Sequence, residues 1–194
     1  MISKPLTGRL LVAQPALRDP NFDHTVVLVL EHTDEGAIGV VLNRPSEFDV
    51  DGALPNWARL AAHPAVVFVG GPVIEEGAAI CLARARGAAP ADLFKPVIHG
   101  VGTLDVNQPP GSASEAIEEV RLYAGYAGWS GGQLEGEIAA GGWFVVDARP
   151  LDGFTTDPDG LWRAVLGRQL GELCWFAHFP PGLQMTCDRF GTAS

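Results

Sequence analysis

The run Thr25-Val26-Val27-Leu28-Val29-Leu30-Glu31, the turn-like Thr33-Asp34-Glu35-Gly36 and the second run Ala37-Ile38-Gly39-Val40-Val41-Leu42 decide the fold. Apolar and β-branched residues at nearly every position, interrupted once by polar turn formers, read as a β-hairpin. Strands with no polar side are buried on both faces, which places the hairpin near the centre of a sheet. Asn43-Arg44-Pro45 ends it.

Working outward, Leu6–Val12 predicts a first strand and Gln14–Phe22 a loop marked by Pro15, Asp19 and Pro20. Residues 46–64 predict a short helix starting at Pro55, with Trp57, Leu60 and Ala61 at helical spacing. Strands are expected at Ala65–Val69, cut off by Gly70-Gly71-Pro72, at Ile80–Ala83 and at Val97–Val106, with a loop between the last two over 85–95. Ser114 is placed to cap a helical turn through Ile117–Glu119, and Val120–Ala124 reads as a strand. Trp143–Asp147 predicts another strand after Gly141-Gly142. Asp157 as cap, Pro158 at the first position and Leu161, Val165 and Leu166 on one face predict a helix over Pro158–Leu170. The segment Leu173–Phe179 is expected to pack down, and 180–194 to be irregular. An early hairpin with late helices argues for an α+β class rather than a regularly alternating parallel sheet. The linker Asn107–Ser114 is too short to mark a boundary, so residues 1–194 are expected to form one domain.

The stretch Gly125-Tyr-Ala-Gly128-Trp129-Ser130-Gly131-Gly132-Gln133-Leu134-Glu135-Gly136-Glu137 reads as a glycine-rich loop leading into a helix, Ser130 and Gln133 forming a capping-box pair. Such a junction can cradle an anion. Its spacing matches neither the dinucleotide fingerprint nor the P-loop, and Glu135 and Glu137 themselves complement the helix dipole. A purely conformational use of the glycines therefore stands beside the ligand reading.

Composition removes several classes. There are 13 basic against 23 acidic residues, a formal net charge of −10, and the bases are scattered, so direct nucleic-acid binding is disfavoured. No apolar run approaches the length of a membrane span. The N-terminus lacks the features of a secretory leader, so a cytoplasmic location is expected. Cys81, Cys174 and Cys187 are dispersed and suggest neither a disulfide framework nor a zinc site. His24 and His32 flank one predicted strand and would lie roughly 26 Å apart along it, too far to share an ion. No metal and no cofactor is expected. Ser130 lacks the glycine two residues earlier that a nucleophile elbow needs. Arg44, after an apolar strand, could clamp a carboxylate or phosphate, or pair internally with Glu135 or Asp19. Glu135 and Glu137, two apart, diverge by about 200 degrees on a helix and form no acid/base pair.

Asp19-Pro20-Asn21-Phe22, Thr25–Leu30, Glu31-His32, Gly36–Pro45, Gly70-Gly71-Pro72-Val73, Gly125–Trp129 and Gly132–Glu135 together resemble the YqgE/AlgH family of bacterial proteins over roughly residues 6–179. The resemblance implies mixed, largely antiparallel strands in a strongly bent, pseudo-barrel sheet flanked by helices. It implies no established catalytic set or cofactor, and one branch carries a name tied to regulation of alginate synthesis, sometimes glossed as transcriptional. Asp19, Phe22, His32, Asn43, Arg44, Gly71, Trp129, Gln133 and Glu135 match the family motifs and form the expected shared surface. The chain departs in a shorter Asn107–Glu119 segment and in Phe179-Pro180-Pro181-Gly182, so no site is placed in the tail. The expectation is a non-enzymatic binding or regulatory protein recognising a small ligand or protein partner. The alternatives are a hydrolase-like enzyme with Glu135 or His32 as general base, and a transcriptional regulator.

Overall fold

The computed structural model describes residues 5–17, 19–75, 79–87, 89, 91–107, 111 and 113–178. The hairpin sits where its composition demands. Strands β2 (Val26–Thr33) and β3 (Gly36–Val41) pair antiparallel, with β1 (Arg9–Ala13) on the other side of β2. The strand β10 (Ala127–Ser130) borders β3, and β11 (Trp143–Asp147) borders β1, giving the order β10-β3-β2-β1-β11. A second sheet runs β4-β5-β9-β6-β8-β7. It comprises β4 (Pro45–Asp49), β5 (Val66–Val69), β6 (Ala79–Ala85), β7 (Phe94–Ile98), β8 (Val101–Leu104) and β9 (Ile117–Ala124). Within it β5 and β9 are parallel and the other pairs antiparallel. The fold is α+β and largely antiparallel, its strands forming two curled sheets without barrel closure.

Three apolar layers follow from side-chain alternation along the strands. Leu10, Val12, Leu28 and Val40 of the first sheet share a core with Phe68, Leu82 and Tyr123 of the second. Leu161, Val165 and Leu166 of helix α4 (Leu161–Gly167) complete it. Leu11, Val27, Val29 and Val41 form the outer face of the first sheet, covered by Leu134 of helix α3 (Gln133–Ala139). Val67, Cys81 and Leu122 face outward from the second sheet, against Val50 of helix α1 (Val50–Ala53), Leu54 and Trp57. Each such side chain, fully buried, contributes about 1.5–3 kcal/mol. Arg121 is 2% exposed in the central layer. Its guanidinium donates to the carbonyls of His63, Gly153 and Thr155 and lies 4.4 Å from the Phe68 ring centroid. Burial draws its pKa below the ordinary arginine value.

The two sheets join at one corner. The Val41 N–H donates to the Gly70 carbonyl, the Gly70 N–H to the Ala124 carbonyl and the Val69 N–H to the Arg44 carbonyl, each at 2.8 Å. Val73 and Tyr126 exchange two bonds of 3.0 Å. A Cβ on Gly70 would lie 2.2 Å from the Gly125 oxygen, and one on Gly71 2.2 Å from the Tyr126 carbonyl carbon. Here the glycines bring backbones into contact, so the conformational reading of the Gly125 stretch holds at this end.

Several local expectations are corrected. Residues 46–64 hold a strand, the four-residue α1 and a 3-10 turn at Ala58–Leu60, because Trp57 is drawn into the core and interrupts helical continuity. The strand expected over Val97–Val106 is the hairpin β7–β8, turned at His99-Gly100 with Gly100 at φ +73°. Ile117–Glu119 opens β9, and the helical turn α2 precedes it at Ala113–Ala116. The α4 helix is shorter than Pro158–Leu170, although Asp157 does accept the Gly160 N–H at 3.1 Å. Helix α5 (Leu173–Phe176) falls in the segment expected to pack down, whereas 180–194 lies outside the described residues.

Two outcomes test this architecture. Gly71→Ala should lower the urea unfolding free energy by at least about 3 kcal/mol, since backbone rather than a flexible side chain must move. Gly52→Ala, with open space around it, should shift it by less than about 1 kcal/mol; equal midpoints for the two would refute the corner. Burial pushes the Cys81 thiol up to about 12. Alkylation at pH 9 followed by peptide mapping should therefore leave Cys81 unmodified in the native protein and modified in urea. The unfolded chain releases that proton first, so its contribution to stability falls as pH rises from about 9 toward 12.

Candidate functional site

The motif residues fall into two groups at opposite ends of β2. At its start, the loop 19–24 is folded on itself: Asp19 Oδ1 accepts the Asn21 N–H at 2.8 Å, and the Asp19 carbonyl accepts the Phe22 N–H at 2.9 Å. Asn43 is bound at both ends of its amide, accepting the Val26 N–H at 3.0 Å and donating to the His24 carbonyl at 2.9 Å. Arg44 donates to the carbonyls of Pro20 and Asp23 at 3.1 and 3.3 Å. Its expected partners, Glu135 or the Asp19 carboxylate, are replaced by backbone oxygens, because the corner puts the Arg44 backbone beside Val69 and its side chain under this loop. His24 takes a left-handed φ of 52°, its ring 4.7 Å from Trp162.

At the far end, a β-bulge between Val29 and Glu31 changes the parity of β2. Leu28 and Leu30 face the central core, and simple alternation would send His32 the same way. The bulge instead sets His32 opposite Ala37, on the outer face with Trp129. There His32 Nε2 lies 2.8 Å from Glu135 Oε1, with the His32 side chain 6% exposed and that of Glu135 36%. The other ring nitrogen, Nδ1, accepts the Leu6 N–H at 3.1 Å. Since Nδ1 is an acceptor, Nε2 carries the proton and donates to the carboxylate. Six residues of β2 separate this pair from the Val26–Asn43 clamp, a span of roughly 20 Å. The Gly125 end of the glycine-rich stretch adjoins the Asn43-Arg44 turn at the corner, whereas its Glu135 end lies away from it.

Between the groups lies a network that sequence reasoning missed. Glu137 Oε2 accepts both indole N–H groups, of Trp129 and Trp143, at 2.9 Å, while Oε1 accepts the Gln133 amide at 3.0 Å. Phe22 stacks on Trp129 at 6.2 Å and meets Trp143 edge-on at 5.3 Å. The only trace in the sequence is the i, i+4 spacing of Gln133 and Glu137. Gln133 Oε1 also takes the Ser130 N–H and hydroxyl, each at 3.1 Å. Ser130 therefore does not cap α3; Gly132 occupies that position, at φ 77°. Glu135 and Glu137 do diverge, to His32 and to the tryptophans respectively.

Chemically the arrangement is nearly closed. Among the described residues no cluster of three His, Cys, Asp or Glu side chains could hold a metal ion. Glu135 Oε2 is the one carboxylate oxygen of these two glutamates outside the hydrogen bonds described. A groove of about 390 Å³ lies elsewhere, on the second sheet, bordered by Ile80, Cys81, Lys95, Thr103 and Asp105 and by none of the motif residues. Its cysteine, held protonated by burial, is no nucleophile at neutral pH. No helix among the described residues is long and apolar enough to cross a membrane.

The comparisons with known proteins place the chain in a family. A family model described as AlgH-like matches residues 10–174. A UPF0301 protein of Streptomyces coelicolor is 49% identical over 179 residues, covering 90% of this chain and 92% of the relative. One from Mycobacterium tuberculosis is 44% identical over 176 residues, covering 89% and 87%. A crystal structure of a Corynebacterium diphtheriae protein superposes with a TM-score of 0.82 at 27% identity, covering 91% of this chain and 94% of that one. The solution structure of the AlgH protein from Pseudomonas aeruginosa gives 0.63 at 28% identity, covering 88% and 99%. The chain belongs to the AlgH-like family.

Proposed function

We propose that the protein is a cytoplasmic, non-enzymatic binding or regulatory protein whose partner reads the outer face of the first sheet. The observation that carries this reading is the internal commitment of the motif polar groups. Both nitrogens of His32, both oxygens of Glu137 and both ends of the Asn43 amide are occupied within the fold. An active site needs a poised acid, base or nucleophile beside a cavity, and these side chains hold backbone groups, indole N–H groups and one another instead. What they hold is a surface: Phe22 links loop 19–24 to the aromatic cluster beside α3, and Asn21, Asp23, Ser130 and Gln133 are exposed along it. Asp19, Phe22, Arg44, Trp129, Gln133 and Glu135 act in this reading as the frame of that surface, with His32, Asn43 and Gly71 beneath it. The net charge of −10 favours a partner with a complementary basic patch over DNA.

The Glu135 carboxylate, on a side chain 36% exposed beside a histidine, supports a second reading as a hydrolase-like general base. A thermal-shift screen against nucleotides, phosphorylated metabolites, carboxylates and divalent metals, run beside an ester-hydrolysis panel, separates the two. A native-state ligand at a hundredfold excess over its Kd stabilises by about 2.7 kcal/mol. The binding reading expects no turnover that Glu135→Gln abolishes; turnover lost in that variant with the fold intact would overturn it. Asn43→Ala should cost about 2 kcal/mol in urea unfolding, because the buried Val26 N–H loses its acceptor. A loss of binding at unchanged stability would instead make Asn43 a contact residue.

A further inference from the structure

The N-terminal strap, residues 5–8, is tied to the end of β2 by three hydrogen bonds. The Gly8 N–H donates to the Val29 carbonyl at 2.8 Å, the His32 N–H to Thr7 Oγ1 at 3.0 Å, and the Leu6 N–H to His32 Nδ1 at 3.1 Å. The bulge makes this possible, since it turns the His32 ring to the face where the strap and α3 meet. Leu6 itself packs against the apolar cluster of Leu11, Val29 and Trp129. Of the three bonds, the one at Leu6 rests on a lone pair that exists only on a neutral imidazole.

We infer that His32 is a proton-operated latch: a proton on Nδ1 removes the acceptor for the Leu6 N–H and frees the strap, while the bond to Glu135 is kept. The two sides of the ring respond oppositely. Toward α3, the added charge turns the Nε2–H to Glu135 contact into an ion pair. Toward the strap, two N–H groups are left facing each other across 3.1 Å. Across β2, the ring faces Ala37, and among the described residues of the strap the Leu6 N–H and the Thr7 hydroxyl meet His32. Glu135 is the charged group bonded to the ring; the neighbouring Glu31 is turned away and paired with Lys95 at 2.7 Å. Protonation of Nδ1 is the signal such a latch reads. The released state exposes the Leu6 seat next to Glu135, on the same outer face as the binding surface but independent of what occupies that surface.

Nuclear magnetic resonance of the full chain tests this without any ligand. At pH 8 the His32 ring nitrogen shifts should report a bare Nδ1 and a protonated Nε2. Between pH 8 and pH 5 the Leu6 amide should lose at least tenfold in exchange protection, after correction for intrinsic rates, in step with the His32 titration. Glu135→Gln should move that transition to lower pH, and His32→Gln should abolish it. Leu6 protection equal at pH 5 and pH 8, or an Nδ1–H tautomer at pH 8, would overturn the latch. Both readings come from the native sequence and stand even if a variant fails to fold.

Discussion

Backbone contact at a single corner governs this molecule. Three segments, leaving β3, β5 and β9, pass one another so closely that a methyl group on Gly70 or Gly71 would overlap a neighbouring main chain. That contact lets consecutive strands change sheets without a long connection and holds the two sheets over a shared core. It also fixes where Asn43, Arg44 and Tyr126 emerge, and thereby which loops their side chains can reach.

The polar motif residues are the second tier of the same construction. Irregular backbone near a core must find partners for its N–H and carbonyl groups. Loop 19–24 finds them in Asn43 and Arg44, the bulged end of β2 in Thr7, the N-terminal strap in His32, and the approach to α3 in Gln133. Glu137 plays the corresponding part for two indole N–H groups that the outer apolar layer would otherwise bury unpaired. Polar residues spent this way hold the main chain and the indole groups of this fold in place. The exception is the His32–Glu135 pair, where one ring serves two masters and a single proton can favour one over the other.

Much of the scaffold was legible in the chain. The Thr25–Leu42 hairpin, its burial on both faces, the strands at β5, β6 and β11 and the apolar face of α4 follow from local pattern, because burial imposes periodicity on the residues themselves. Where local pattern misled, another contact had taken over: Trp57 left its expected helix for the core, and Ser130 gave its N–H and hydroxyl to the Gln133 side chain while Gly132 took the cap position.

By itself, the sequence determined the α+β class, the central hairpin and the acidic character of the protein, since these depend on composition and on spacings of two to four residues. Only the tertiary structure decided that Gly70, Gly71 and Gly125 serve a corner, that Arg44 holds carbonyls, that Glu137 binds two tryptophans and that His32 meets Glu135. These depend on pairs 6 to 103 residues apart and, for His32, on one bulged residue that reverses the facing of a strand end. No local periodicity encodes such a reversal, because it arises from how two strands register against each other.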